Sequence, residues 1–250
     1  MGGALCRALS KTTTDIAVAD CDNQKAQVLA NVLGITACDN VTIARECDRI
    51  FLGVKPQMMA EMLKDIKDIL ANRKPVLISM AAGIKTSKIK EWAGDLPVIR
   101  IMPNTPVSVG EGMVLYCADG VGQDVVDDFV SDMKYSGRLD KIDESLIDAG
   151  CSVSGCGPAF MYTFASAVAE GGRQCGLSYN QAIEYAAATM KGAAEMLLAS
   201  DISPQELTNA VCSKGGSTIE GVNVLRNSDF EKIVIDCIKA AYKRNKELGE

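Results

Sequence analysis

From residue 11 to about 145, short runs of apolar and β-branched residues alternate with stretches of helical character, and this alternation constrains the fold more than any other feature. The runs predict strands over Ile16 to Asp20, Arg49 to Val54, Pro75 to Met80, Val98 to Met102 and Met113 to Cys117. Between them, helices are expected over Asp22 to Leu33, Gln57 to Leu70 and Thr86 to Trp92. Strands that are apolar throughout need cover on both faces, which helices between consecutive strands supply. The expected class is α/β, with a doubly wound, Rossmann-like and mostly parallel sheet.

After Gly150 the strand signals stop. Ser178-Tyr179-Asn180-Gln181 has the form of a capping box opening a helix to about Ala199, and Ser203-Pro204-Gln205-Glu206 is a second helix start with proline at the first helical position. A last helix is expected over about Asp229 to Leu248, burying Phe230, Ile233, Val234, Cys237, Ile238 and Ala241 along one stripe. Two domains follow: a dinucleotide-binding domain over 1–148 and an all-helical domain over 149–250 for substrate binding and dimerisation. Small residues such as Ala165, Ala169, Gly171, Gly172 and Ala186 let helices approach closely, either within the chain or against a second copy. A domain of about 100 residues with so many apolar faces gains from pairing, so a homodimer or higher oligomer is expected.

The net charge is −6, with Lys and Arg scattered, so the chain has no electrostatic footprint for nucleic acid or an anionic membrane. No apolar stretch approaches the roughly 18–20 residues needed to cross a bilayer, and no secretory signal opens the chain, so the expected location is cytoplasmic. There are ten cysteines but no C-x-x-C pair, and no histidine. These absences remove zinc-finger, His-metal, Cys-His and Ser-His-Asp chemistry, and no metal is expected. The cysteines read as small buried residues kept reduced.

Met1-Gly2-Gly3-Ala4-Leu5-Cys6-Arg7-Ala8-Leu9 looks like the end of a G-x-G-x-x-G fingerprint and the helix after it, although it could equally be the frayed start of an ordinary helix. Asp20 follows Gly2 by 18 residues, near the spacing at which an acid binds the adenosine ribose, and the competing reading is a solvated turn acid. Met1, Gly2, Asp20 and Cys21 are therefore cofactor candidates. The first strand and first two glycines of the fingerprint are missing from this sequence. Such a loss should leave two neighbouring strands unpaired, and Met1 is expected to be an internal methionine of a longer natural protein.

Ordered blocks along the whole chain carry a more specific signal. They are Gly53-Val54-Lys55-Pro56-Gln57, Ser79-Met80-Ala81-Ala82-Gly83, Arg100-Ile101-Met102-Pro103-Asn104-Thr105-Pro106, Leu146-Ile147-Asp148-Ala149, Ser154-Gly155-Cys156-Gly157-Pro158-Ala159 and Val211-Cys212-Ser213-Lys214-Gly215-Gly216-Ser217-Thr218. In this set the chain resembles pyrroline-5-carboxylate reductase. The resemblance implies that NADPH or NADH reduces Δ1-pyrroline-5-carboxylate to L-proline, the last step of proline biosynthesis. It places Val54, Lys55, Pro56, Ala81 and Ala82 on the nicotinamide side, Asn40 on the adenosine side, and adds Asn104 to the cofactor set. It also implies that Ser213, Gly215, Gly216, Ser217 and Thr218 hold the substrate carboxylate, with the Thr218 hydroxyl on the ring nitrogen as the catalytic group. Glu144 is a weaker substrate-pocket candidate.

Two departures stand out. Asp20-Cys21-Asp22 occupies the place where many bacterial relatives carry basic and hydroxyl residues for the 2′-phosphate, so the charge there leans towards NADH. Lys214 stands where proline is common. The competing readings are another two-domain reductase of the 3-hydroxyacid dehydrogenase type and a non-catalytic oligomeric remnant. The first needs a lysine or histidine on the helix after the linker, and residues 152–166 have neither.

Overall fold

The computed structural model describes residues 1–249. The chain divides into two compact units, Met1–Pro158 together with the chain from Ala241, and Ala159–Ala240.

In the first unit the elements run α1 (Gly2–Leu9), β1 (Ala17–Val18), α2 (Asn23–Leu33), β2 (Thr36–Ala37), α3 (Asn40–Glu46), β3 (Arg49–Leu52), α4 (Pro56–Arg73), β4 (Val76–Ser79), α5 (Thr86–Ala93), β5 (Val98–Pro103), β6 (Gly112–Asp119), α6 (Gln123–Asp132), β7 (Gly137–Lys141) and α7 (Ile147–Ser154). Strands β3, β4 and β5 pair in parallel, β6 runs antiparallel to β5, and β7 is parallel to β6. The β5–β6 link is the short 3-10 turn Thr105–Val109, too short for a parallel crossover, so the direction reverses there. β7 has no apolar run that would announce a strand; Arg138, Asp140 and Lys141 mark it as a charged edge.

The expected unpaired neighbours are present. β1 and β2 form a separate two-stranded parallel sheet, and β1 and β3 each pair on one side only among the described residues. β1, at Ala17–Val18, is shorter than the expected Ile16 to Asp20.

The five-stranded sheet is covered on both faces. On one face Ile50, Leu52, Leu77 and Val98 pack with Met59, Leu63, Ile66 and Leu70 of α4 and Ile89 of α5. The alternate residues Ile78, Ile99 and Ile101 turn to the other face, onto Leu5 and Leu9 of α1 and Phe129 of α6. The α4 residues recur at i, i+4, i+7 and i+11, which is one helical face, and each buried side chain stabilises the unit by about 1.5–3 kcal/mol relative to exposure. A third cluster of Met102, Leu115, Cys117, Ile147 and Cys151 seats α7 on β5 and β6.

The second unit is helical: α8 (Gly157–Gln174), α9 (Tyr179–Ala199), α10 (Pro204–Val211), α11 (Ser217–Arg226) and α12 (Phe230–Glu247), whose end belongs to the first unit. Both expected capping boxes form, Ser178 with Gln181 and Ser203 with Glu206. The α12 stripe is not buried: Ile233 is 58% exposed and Val234 44%, with Phe230 and Cys237 also exposed. The sequence marks the stripe as apolar, but among the described residues it is covered only in part: Phe230 lies against Phe164 (ring centroids 6.2 Å apart), and Ile238 and Ala241 are half-buried. Among the described residues, no helix is long and apolar enough to cross a membrane.

Candidate active site

The nucleotide side begins at α1. Met1 caps it with its carbonyl, which accepts from Ala4 N (2.9 Å) and Leu5 N (3.1 Å), while the first N–H groups of a helix have no acceptor within it. No acid stands in the first turn, so nothing opposes an anion at this positive end. The end of β3 comes close: a Cβ on Gly53 would lie 3.8 Å from Gly2 Cα, and one on Gly2 would meet nothing within 4 Å. The structure thus brings Gly2 and Gly53 together, with room beside Gly2. Lys55 stands exposed at the N-cap of α4, and Pro56 is the first helical residue.

Asp20 is exposed at the end of β1 and accepts from Asp22 N (2.9 Å) and Cys21 Sγ (3.5 Å). Asp22 in turn caps α2 through Gln24 N (3.1 Å) and lies 3.5 Å from Lys25 Nζ, so two carboxylates and one exposed ammonium stand at this point. Asn40, exposed, opens α3 behind its cap Asp39. After β4, Ala81 is buried, Ala82 half-buried, and Gly83 takes φ +75°, a left-handed conformation that turns the chain into α5. Asn104 is used by the protein itself: its Nδ2 donates to Ser154 O (3.0 Å) and its Oδ1 accepts from Met113 N (2.9 Å).

Glu144 is tied up as well. Its carboxylate accepts from Thr86 N (2.7 Å) and Thr86 Oγ1 (3.1 Å), capping α5 from 58 residues away, and lies 3.5 Å from Arg100 Nη1. Arg100, 1% exposed on β5, also pairs with Asp148 at 3.0 Å, and its Nε has no partner. Arg100 and Asp148 stand in the family blocks and Thr86 at the start of an expected helix, but the sequence assigns none of them a role in the site. A lone arginine inside the apolar strand Val98–Pro103 was the available signal, since a buried cation requires carboxylates. Burial is the main cause that pushes the Cys117 and Cys151 thiols up to about 11, which keeps them protonated and unreactive near neutral pH.

In the helical unit, Ser213–Gly216 forms a turn closed by Gly216 N to Ser213 O (3.0 Å), with Gly215 at φ +74°. Gly216 is the N-cap of α11 and has no side-chain cap bond, so the N–H groups at Ser217 and Thr218 point outward at the positive end of a ten-residue helix. Both side chains and Lys214 are exposed. Glu220 in the first turn is the one opposing charge. A separate cavity of about 260 Å³ between α8 and α9, lined by Phe164, Val168, Leu177, Tyr185, Thr189 and Met190, is too apolar to hold a carboxylate.

Comparison with known proteins shows the family. Residues 144–248 match the family model described as pyrroline-5-carboxylate reductase dimerisation, and residues 1–83 match the one described as NADP oxidoreductase coenzyme F420-dependent. A pyrroline-5-carboxylate reductase of Pisum sativum is 36% identical over 219 residues, 87% of this chain and 80% of that one. The chain belongs to the pyrroline-5-carboxylate reductase family. Solved structures of the family share its fold. A pyrroline-5-carboxylate reductase from Coxiella burnetii superposes with a TM-score of 0.91 at 30% identity, covering 100% of this chain and 96% of its own. The Plasmodium falciparum pyrroline carboxylate reductase with NADP bound gives 0.89 at 28% identity, covering 100% and 95%.

Proposed function

We propose that this chain reduces Δ1-pyrroline-5-carboxylate to L-proline, the last step of proline biosynthesis, with NADH or NADPH. The observation that carries the reading is the Ser213–Thr218 turn, which sets uncapped N–H groups beside a free threonine hydroxyl, as an imino-acid requires. Gly216, Ser217 and Thr218 hold the substrate carboxylate through backbone N–H groups, with Ser213 and Gly215 shaping the turn. The Thr218 hydroxyl hydrogen-bonds the ring nitrogen, which takes up the C=N electron pair as hydride adds to C5. An iminium is already an electrophile, so positioning does most of the work and a chain without histidine suffices. When bound, the reduced nicotinamide supplies the hydride. Met1–Gly2 at the start of α1 holds the pyrophosphate, Asp20, Cys21 and Asn40 face the adenosine side, and Val54, Lys55, Pro56, Ala81 and Ala82 face the nicotinamide. Asn104 and Glu144 serve this site through the segments that they hold. Proline formation from the imine with either cofactor tests the reading, and no turnover with both overturns it.

The carboxylates of Asp20 and Asp22 favour NADH, because a 2′-phosphate would sit against two like charges. Steady-state kcat/KM with both cofactors checks this, and a clear NADPH preference refutes it. The chain pairs with a second copy through its helical unit. The exposed apolar residues there, with Leu198 at 70% and Ile233 at 58%, exceed what a monomer leaves bare, and the α8–α9 cavity gives a partner side chain a place to enter. The expected compartment is the cytoplasm, where ten thiols stay reduced.

A further inference from the structure

The turn 81–86, which follows β4, is gripped from two distant parts of the chain. From one side Glu144 binds Thr86 through both carboxylate oxygens. From the other, the end of α12 lies against Gly83: a Cβ on Gly83 would stand 2.6 Å from Gly249 N and 2.7 Å from Leu248 C, and one on Gly249 would stand 2.5 Å from Gly83 O. The two backbones therefore touch only because neither residue carries a side chain.

These grips are joined through the interior. Glu144 meets Arg100, Arg100 meets Asp148 (3.0 Å), and the Asp148 carbonyl accepts from Asn245 Nδ2 (3.2 Å), one turn of α12 before Gly249. Asn245 is the buried residue of α12, at 8% exposure, on a helix whose apolar stripe is open. A buried amide contributes little by burial, so the hydrogen bond is what it supplies. Contacts join Thr86 to Glu144, Glu144 to Arg100, Arg100 to Asp148, Asp148 to Asn245 and Gly249 to Gly83, and the chain itself links Asn245 to Gly249 and Gly83 to Thr86.

We infer that Asn245 and Gly249 are positioning residues for the reduction: the end of α12 braces the 81–86 turn in the shape that receives the nicotinamide. This rests on the reading of Ala81 and Ala82 as nicotinamide contacts. Substitution at Asn245 or Gly249 then acts on the cofactor and leaves the substrate turn at Ser213–Thr218 alone. Asn245→Ala and Asn245→Asp both lose the donor to Asp148 O, and Gly249→Ala forces its new Cβ onto Gly83 O.

Three measurements on the full chain test it. Trp92, the one tryptophan, sits on α5 directly after the turn, so its fluorescence reads NADH and NADPH dissociation constants without turnover. Hydrogen exchange of the cofactor-free protein reads the 81–86 amides, and steady-state kinetics separates the two KM values. Asn245→Ala and Gly249→Ala are expected to weaken cofactor binding about five- to tenfold and raise the cofactor KM in parallel. The imine KM should stay within about twofold, and Asn245→Ala should speed exchange across 81–86 about three- to tenfold. Unchanged cofactor affinity and exchange in the variants overturn the brace, as does an equal rise of both KM values with a fall in Tm. A parent chain that binds neither cofactor overturns the nicotinamide reading itself and the inference with it, while the exchange data still show whether the turn is braced.

Discussion

In the proposed reaction, Thr218 is the residue on which the chemistry rests. Thr218→Val keeps the shape and removes the donor, and is expected to lower kcat about tenfold to a hundredfold with Tm unchanged, because the side chain is exposed. Thr218→Ser should recover most of the loss, and a full-rate valine variant would remove Thr218 from the mechanism. Cys21 offers a second check. It is exposed beside Asp20, so a thiol reagent should modify it readily and NADH should slow that reaction, as followed by mass spectrometry of the 21-containing peptide. Labelling that ignores the cofactor would detach Cys21 from the nucleotide site. At this scale the candidate site was largely legible, since Gly215-Gly216 and Ser217-Thr218 carry turn and cap chemistry in their own identities. Glu144 shows the limit. Its residue type told of a carboxylate at a helix start, but its partners Thr86 and Arg100 lie 58 and 44 positions earlier, and only the fold brings them within reach.

Among the elements, α5 has an N-cap, Lys85, that makes no side-chain bond, and Glu144 supplies the cap instead. Glu144→Ala is expected to cost about 1–3 kcal/mol in urea unfolding, from the lost cap and from a buried guanidinium left with Asp148 alone. Glu144→Gln should cost less because it keeps an acceptor for Thr86; equal stability of both variants with the parent would mean that the cap contributes nothing. On α8, hydrogen bonds from Arg173 and then Gln174 hold the Glu170 carboxyl down to about 2. A lowered carboxyl contributes stability above its ordinary range near 4.5, and that contribution is lost as the pH falls towards 2. The pair is exposed, so solvent screening keeps the contribution small. Carboxyl NMR of an Arg173→Gln variant should return Glu170 towards 4.5; a titration still centred near 2 would show that Arg173 is not the main cause. The helices read well from the sequence because their caps and periodicity are local. β7 did not, because a charged edge strand is defined by its neighbour β6 and not by its own residues.

For the whole molecule, the unit Ala159–Ala240 leaves its apolar faces bare in one chain. A double change of Ile233→Glu with Val234→Glu is expected to shift the protein from dimer or higher oligomer to monomer in sedimentation velocity, because charges on a face that pairing would bury cost several kcal/mol. An unaltered sedimentation coefficient would place the interface elsewhere. The sequence by itself determined the α/β class, the change to helices after Gly150, the family blocks and the turn at Ser213–Thr218, because each of these is written in local pattern, cap and turn chemistry. The tertiary structure alone decided that β6 reverses direction, that Arg100 gathers Glu144 and Asp148, and that the end of α12 returns to Gly83. Those are contacts between residues far apart in the chain, and no local preference specifies which distant partner a buried charge or an open backbone will meet.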